Sequence, residues 1–188
     1  MKSVFGAVVL GVMLVGSVMA AHAARKPKTG IFGTIDGMKL AATGKAVRKG
    51  LVRASYTVNP AGGASLVVSG TAFPKRRGVY QILVIGCASN TAELPWTAFC
   101  TATYSEARLK HRKLEQKIWS TSVDVDDSFN LVTPFQVTLE SFDGSVVKGR
   151  FSGSFDSSQQ SCPNGNCVDA PELGTVSGEG TFEVPVGF

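Results

Sequence analysis

The sequence predicts an all-β fold, an antiparallel β-sandwich or small barrel of about 8–9 strands. Three observations support this fold class. Valine, threonine and 11 phenylalanines are prominent, and these residue types suit a pleated, half-buried surface. Apolar and polar residues alternate with a period of two in several segments. The 21 glycines fall mainly in these segments and in the turns between them, while long helical patterns are scarce.

Residues 1–23 have the pattern of a signal peptide. Lys2 gives a positive start, Val4–Ala21 is apolar or small without charge, and Ala21-His22-Ala23 fits the small-x-small cleavage pattern. We therefore expect residues 24–188 to form a single β domain that is exported, either periplasmic or secreted. A retained membrane anchor is the alternative, because the uncharged stretch is long enough to span a bilayer.

The first half of the domain is predicted to be a series of strands separated by turns. The first strand lies within 30–35 and ends in an Asp36-Gly37 turn. Val79–Cys87 is apolar on both faces, so it is the best candidate for a central buried strand. The other strands predicted here are Met38–Thr43, Leu51–Val58 and Ala64–Phe73, with a basic, turn-like segment at 44–50.

The next segment breaks the strand pattern. Phe99–Tyr104 is predicted as a short strand, but Ser105–Ile118 is highly charged. Ala107, Leu114 and Ile118 fall on one face of a helix, and Ser105 is a suitable N-cap. We therefore expect one short helix near residues 105–118, with an extended charged loop as the alternative.

Alternation resumes in the last third of the chain. Phe135–Leu139, Val147–Phe155 and Val176–Val186 are predicted strands, and Asp143-Gly144 turns the chain between the first two. The segment 157–172 lies between the last two strands and carries two of the four cysteines. It is predicted to be a loop closed by a disulfide.

The four cysteines predict two disulfides, since an even number in an exported chain indicates oxidation. Three connectivities are open. We favour the local pairs Cys87–Cys100 and Cys162–Cys167, because the turn sequence Pro163-Asn164-Gly165 brings the second pair together. A zinc site built from all four thiolates is the rival interpretation, although the spacing of Cys87 and Cys100 does not suit it.

Two passages resemble a group of uncharacterised bacterial exported proteins, many of them lipoproteins. Phe32-Gly33-Thr34-Ile35-Asp36-Gly37 is similar to their opening strand, and 147–155 together with 176–185 is similar to their closing strands. The resemblance implies an antiparallel β domain in the cell envelope and implies no activity. This chain departs from the lipoproteins because no cysteine lies near the predicted cleavage point.

Charge is unevenly distributed along the chain. Residues 25–117 carry 16 basic and 4 acidic side chains, whereas 118–188 carry 2 basic and 10 acidic ones. A basic face would attract an anionic polymer or lipid head group, including peripheral membrane contact, while nucleic acid is not expected. The alternative is that the two halves pack with their charges facing each other. The candidate anion-binding residues are Lys75, Arg76, Arg77, Arg108, Lys110, Arg112 and Lys113.

The acidic half contains a candidate calcium site at Asp124, Asp126 and Asp127. Oxygen ligands at alternate positions begin a calcium-loop pattern, but the glycine and the final acid of that pattern are missing. A solvated acidic turn is the alternative interpretation.

No residue is predicted to be catalytic and no cofactor is expected. His111 is the one histidine after the predicted signal peptide, and its neighbours Lys110 and Arg112 disfavour the imidazolium. We therefore expect a non-catalytic β-sandwich of the bacterial envelope with a binding or structural role. One alternative is an enzyme that uses carboxylates. Another is a small outer-membrane β-barrel, because apolar residues alternate in the closing strand up to Phe188.

Overall fold

The computed structural model describes residues 29–73, 78–110, 113–121, 124–125, 131–132, 134–156 and 158–187, and the predicted signal peptide lies outside them. The described residues form an all-β fold, which confirms the predicted fold class. In chain order the elements are β1 (Gly30–Ile35), β2 (Met38–Thr43), α1 (Lys45–Arg48), β3 (Val52–Val58), β4 (Ala64–Ala72), β5 (Val79–Ser89), β6 (Trp96–Lys110), β7 (Lys113–Thr121), β8 (Asp124–Val125), β9 (Leu131–Val132), β10 (Phe135–Phe142), β11 (Val146–Phe155), β12 (Ser158–Pro163), β13 (Val168–Asp169), a 3-10 turn (Pro171–Leu173) and β14 (Val176–Pro185).

One side of the fold, which we call the first layer, has the strand order β2-β1-β14-β11-β10 followed by the start of β6. All of these pairings are antiparallel. The predicted turn joins β1 to β2, and both Asp36 and Gly37 have positive φ there. The first and last strands of the domain are therefore neighbours at the centre of this layer.

The other side, the second layer, has the order β3-β4-β5-β6-β7-β12-β13. β6 belongs to both layers, because Trp96–Phe99 pairs with β10 and Ala102–Lys110 pairs with β7. The result is one antiparallel sheet curled into a half-barrel. Near its open side, the Gly187 N–H donates to the Ala54 carbonyl at 3.1 Å.

The core lies between the two layers and consists of the inward-facing residues of both. The ring centroids of Tyr104 and Phe155 are 6.0 Å apart, and those of Tyr56 and Phe142 are 4.9 Å apart, so aromatic contacts join the layers. Burying these apolar side chains is the main contribution to stability. The fully buried side chains of largest volume include Tyr104, Phe135, Phe155, Phe182, Ile31, Ile35, Leu40, Leu66, Leu83 and Ile85.

Glycine and phenylalanine face each other across β11 and β14. Gly149 is opposite Phe182, and Phe151 is opposite Gly180. A Cβ at Gly149 would lie 2.6 Å from the Phe182 ring, and one at Gly180 would lie 2.7 Å from the Phe151 ring. Each ring therefore occupies the space that a side chain on the opposite strand would need.

The predicted helix near residues 105–118 is wrong. Ser105–Lys110 continues β6, and Lys113–Ile118 belongs to β7, so the segment forms a β-hairpin. The charged residues Glu106 and Arg108 are two positions apart, which places them on one face of a strand but on different sides of a helix. Pairing of β6 with β5 over nine residue pairs extends the sheet into this segment.

The structure also departs from the sequence-based prediction in smaller features. The basic segment at 44–50 contains α1, and the segment 157–172 contains β12, β13 and the 3-10 turn rather than only a loop. Within the described residues, no helix is long and apolar enough to cross a membrane.

Candidate functional site

A groove with a volume of about 620 Å³ crosses the outer face of the first layer. Its walls and floor come from β1, β10, β11 and β14, which are distant from one another in sequence. The residues that line it are Phe32, Gly33, Thr34, Gln136, Thr138, Arg150, Phe151, Ser152, Glu179, Gly180 and Thr181.

Strand register places the polar side chains of this groove in two adjacent rows. In the first row, Arg150 has Thr138 on one side and Thr181 on the other. In the second row, Ser152 has Gln136 on one side and Glu179 on the other. Since neighbouring strands are about 4.8 Å apart, each row presents a hydrogen-bonding group at about that interval.

Aromatic and hydroxyl side chains extend the two rows. Half-buried Phe32 follows Thr181 in the first row, while exposed Phe99 follows Gln136 in the second. The Thr97 and Thr138 hydroxyls lie 2.9 Å apart at the β6 end of the first row. Each row thus has an aromatic side chain at one end and hydrogen-bond donors and acceptors along the rest.

The charges at the groove include both signs. The Arg150 guanidinium lies 4.0 Å from the Glu140 carboxylate, and both side chains are substantially exposed. Glu179 is a second carboxylate in the lining. Exposed ion pairs contribute little to stability, so these side chains remain able to exchange partners. Arg150 can donate hydrogen bonds to a ligand, and the two carboxylates can accept hydrogen bonds from that ligand.

Glycines form the floor of the groove. Gly33 and Gly180 are direct partners across β1 and β14. A Cβ on Gly33 would overlap the Glu179 carbonyl oxygen, and one on Gly180 would overlap the Phe32 carbonyl oxygen. Because neither residue has a side chain, the two strands approach closely and the backbone itself lines the depression.

The groove continues along the strands into a second depression of about 500 Å³. Thr34, Ser152 and Glu179 line both depressions. The second is otherwise lined mostly by Pro134, Ser154, Ser177 and nearby glycines. Together they form an elongated, open and polar surface suited to an extended ligand.

A separate cavity of about 340 Å³ lies where the β6–β7 hairpin extends past the core. Glu106, Arg108, Glu115 and Lys117 line it with both signs of charge. Just inside it, the Tyr104 hydroxyl donates to Glu106 Oε1 and accepts from Gln81 Nε2, each at 2.9 Å. Burial raises the pKa of Tyr104 well above its usual range, and the nearby Glu106 carboxylate adds to this.

The structure describes only some of the basic residues that the sequence predicted to bind an anion. Lys75, Arg76, Arg77 and Arg112 lie outside the described residues, as does His111. Lys110 ends β6, while Arg108 and Lys113 are exposed in β6 and β7. Arg108 is opposite Glu115 in the hairpin, so at least part of this basic run faces an acid.

Sequence reasoning missed a second basic cluster, at α1. The ammonium groups of Lys45 and Lys49 lie 5.5 Å and 5.9 Å from the centre of the Phe73 ring. Both distances suit cation–π attraction. The Phe73 ring in turn contacts Tyr80 edge to face at 5.8 Å. The spacing of four between the two lysines in a basic segment was the available signal.

The acidic residues give no metal site in the described part of the chain, where no cluster of three or more His, Cys, Asp or Glu could hold a metal ion. Asp126 and Asp127 lie outside the described residues, and Asp124 is in β8. The calcium interpretation therefore stays a prediction.

The cysteines form the two local disulfides that the sequence favoured. Cys87 and Cys100 are direct cross-strand partners in β5 and β6, and Cys162 is bonded to Cys167 beside β12. All four cysteines are bonded in this way. The alternative of a zinc site built from their thiolates is therefore wrong.

Comparison of the chain with protein-family models, with curated proteins and with solved structures gives no match. The resemblance to exported bacterial proteins thus stays a prediction, and any functional argument depends on the chemistry of the surfaces described above.

Proposed function

We propose that this chain is a non-catalytic binding protein of an oxidising, exported compartment, and that its groove holds an extended, hydroxyl-rich ligand of the oligosaccharide class. The observation that carries this proposal is the pair of polar rows across β1, β14, β11 and β10. Arg150, Thr138 and Thr181 form the centre of one row, and Ser152 and Glu179 belong to the other.

The chemistry of the groove favours a neutral ligand with many hydroxyls. A hydroxyl both donates and accepts, so it can satisfy Arg150, Glu179 and the intervening threonines in turn. Arg150 is accompanied by Glu140 and Glu179, so the local charge does not select a strongly anionic ligand. Phe32 offers an apolar surface against which the C–H face of a sugar ring can pack.

Two observations support the remaining parts of the proposal. The groove is open, so a bound ligand would stay in contact with water. Most catalytic sites, by contrast, exclude water from the bound substrate. The two disulfides are compatible with an oxidising compartment, and export would supply one. The alternative is an enzyme that uses carboxylates. An assay for activity of the chain on a bound oligosaccharide would test that alternative.

The proposal is tested by calorimetric titration of the purified, oxidised chain with a panel of neutral and anionic oligosaccharides. We expect a neutral member to bind, and Arg150→Ala to weaken its binding by about tenfold or more, because a charge-assisted hydrogen bond is lost. Arg53→Ala is the matched control, since Arg53 is an exposed arginine in β3. Absence of binding across the panel, or equal loss in both variants, would contradict the proposal.

A second candidate function is attachment to an anionic polymer or lipid head group through the cluster at α1. The specific observation is that Lys45 and Lys49 converge on one aromatic ring, Phe73. Two ammonium groups held near each other repel, and a bound phosphate or sulfate would relieve that repulsion. Lys75-Arg76-Arg77 follows Phe73 closely in sequence and adds to the positive charge of this part of the chain.

This second function is tested by binding to vesicles that contain phosphatidylglycerol and, separately, to a sulfated polysaccharide. We expect binding that weakens as salt is added, and a further loss in the Lys45→Gln/Lys49→Gln double variant. The Lys39→Gln/Arg53→Gln variant removes the same charge elsewhere and should bind better than the first variant. Equal binding by the two variants would show that α1 has no special role.

A further inference from the structure

We infer that the outer face of the second layer is a docking surface for a second copy of this chain. We call it the uncharged face. It comprises the outward residues of β4, β5, β6 from Thr101 onward, β7 and β12. Its exposed members include Val67, Tyr80, Val84, Thr101, Leu109 and Leu114, whereas Ser105, Ala107 and Cys162 on the same side of the sheet are buried.

Two of the strands that form this face carry several charged residues, but on their other side. On the opposite side of the β6–β7 hairpin, Glu106, Arg108, Glu115 and Lys117 are all charged. Among the described residues, charged side chains approach the face at its borders, with Arg53 on β3, Asp169 on β13, and Lys45 and Lys49 over the Phe73 ring that contacts Tyr80. Solvent-facing sheet surfaces usually carry charges that keep chains apart, and a face that lacks them over five strands is typical of a protein interface.

Apolar side chains on the face are open to solvent. Val67, Tyr80, Val84, Leu109 and Leu114 are between 39% and 66% exposed. Half-buried Ile82 and Ile118 lie on either side of Ser105 in one cross-strand row. Exposed apolar surface of this extent marks an interaction site more often than an ordinary surface.

The chemistry of the face favours a second copy over a different partner. An isologous dimer brings the same patch of two chains together, so residue i meets residue j twice, and a charge near the two-fold axis would meet its own copy. Hydroxyls such as those of Thr101 and Thr103 can donate to or accept from identical groups, and valine packs against valine. The uncharged face is therefore complementary to itself, whereas it offers no charge to a partner that recognises charge.

The size of the face also fits a dimer. Five strands at about 4.8 Å and about seven residues at 3.4 Å give a flat footprint of roughly 24 Å by 24 Å, close to 600 Å². The accessible area of such a corrugated surface is larger than its footprint. It therefore approaches the roughly 800 Å² that each partner buries in a standard interface.

The inference is tested by sedimentation equilibrium of the oxidised chain. We expect a monomer–dimer equilibrium, and Val84→Lys should weaken dimerisation by about tenfold or more, because a lysine at the centre of the interface would be buried without a partner. Val58→Lys is the matched control, since Val58 is an exposed valine at the end of β3 and outside the face. It should dimerise like the unmodified chain.

A chain that stays monomeric at the highest soluble concentration would overturn the inference, as would a dimer that Val84→Lys leaves intact. Far-UV circular dichroism and the melting temperature show whether the variant is folded. If Val84→Lys does not fold, Thr103→Lys applies the same test, because Thr103 lies beside Val84 in the same cross-strand row.

Discussion

At the scale of single residues, the groove depends on glycines, which have no side chain. Gly180 lies at its floor, where a methyl group would overlap the Phe32 carbonyl oxygen and meet the Phe151 ring at 2.7 Å. We predict that Gly180→Ala destabilises the fold by about 2 kcal/mol, because strand β1 and a core ring would both have to move. Urea denaturation measures this loss in the free energy of unfolding.

Gly187→Ala is the control for this prediction, because a methyl group there meets no other atom. Its effect should stay within about 0.5 kcal/mol. Gly180→Ala should also weaken ligand binding, since the same displacement changes the floor of the groove. If both variants were equally stable, the close approach of β1 and β14 would not be required for the fold.

At the scale of elements, the two disulfides should differ in their contribution. Cys87 and Cys100 are 13 residues apart and buried in the core, whereas Cys162 and Cys167 are 5 residues apart beside a surface turn. We predict that Cys87→Ala/Cys100→Ala lowers the free energy of unfolding by about 3 kcal/mol, and the other double variant by about 2 kcal/mol, because the larger loop restrains the unfolded chain more.

Urea denaturation of the two double variants checks this order. The core position of Cys87 and Cys100 adds a packing loss in the same direction. A larger loss from removing Cys162–Cys167 would mean that the surface turn organises more of the fold than its position indicates.

The β6–β7 hairpin shows where prediction of elements from sequence fails. Ala107, Leu114 and Ile118 match a helical face, but they also lie on one face of the paired strands. Local pattern leaves both options open, and the pairing of Ser105 with Ile82 of β5 is a tertiary contact that decides between them. By contrast, the β1–β2 hairpin is predictable because its Asp36-Gly37 turn is a local signal.

At the scale of the whole molecule, the sequence indicates the fold class and the disulfides but not the groove. Alternation in 147–155 and 176–186 predicts two strands, yet it does not show that Arg150 lies opposite Thr181. That juxtaposition depends on the register between β11 and β14, and the pairing of β1 with β14 then places Phe32 beside Thr181. The candidate site therefore arises from long-range register, whereas the predicted basic residues were chosen by their proximity in sequence.

The groove and the uncharged face lie on opposite sides of the molecule, the groove on the outside of the first layer and the uncharged face on the outside of the second. The α1 cluster adjoins the uncharged face, because its Phe73 ring contacts Tyr80 of that face. A dimer formed through the uncharged faces would leave both grooves open to ligand. Loss of dimerisation and loss of ligand binding are thus expected from different substitutions.

The most direct test of the central claim, that the groove is the ligand site, is backbone amide NMR during titration with the tightest-binding neutral oligosaccharide of the panel. Our account predicts that the largest shift changes fall on the two polar rows, at residues 32–34, 136–138, 150–152 and 179–181. Shift changes that fall instead on α1 or on the uncharged face, with none in these rows, would contradict it.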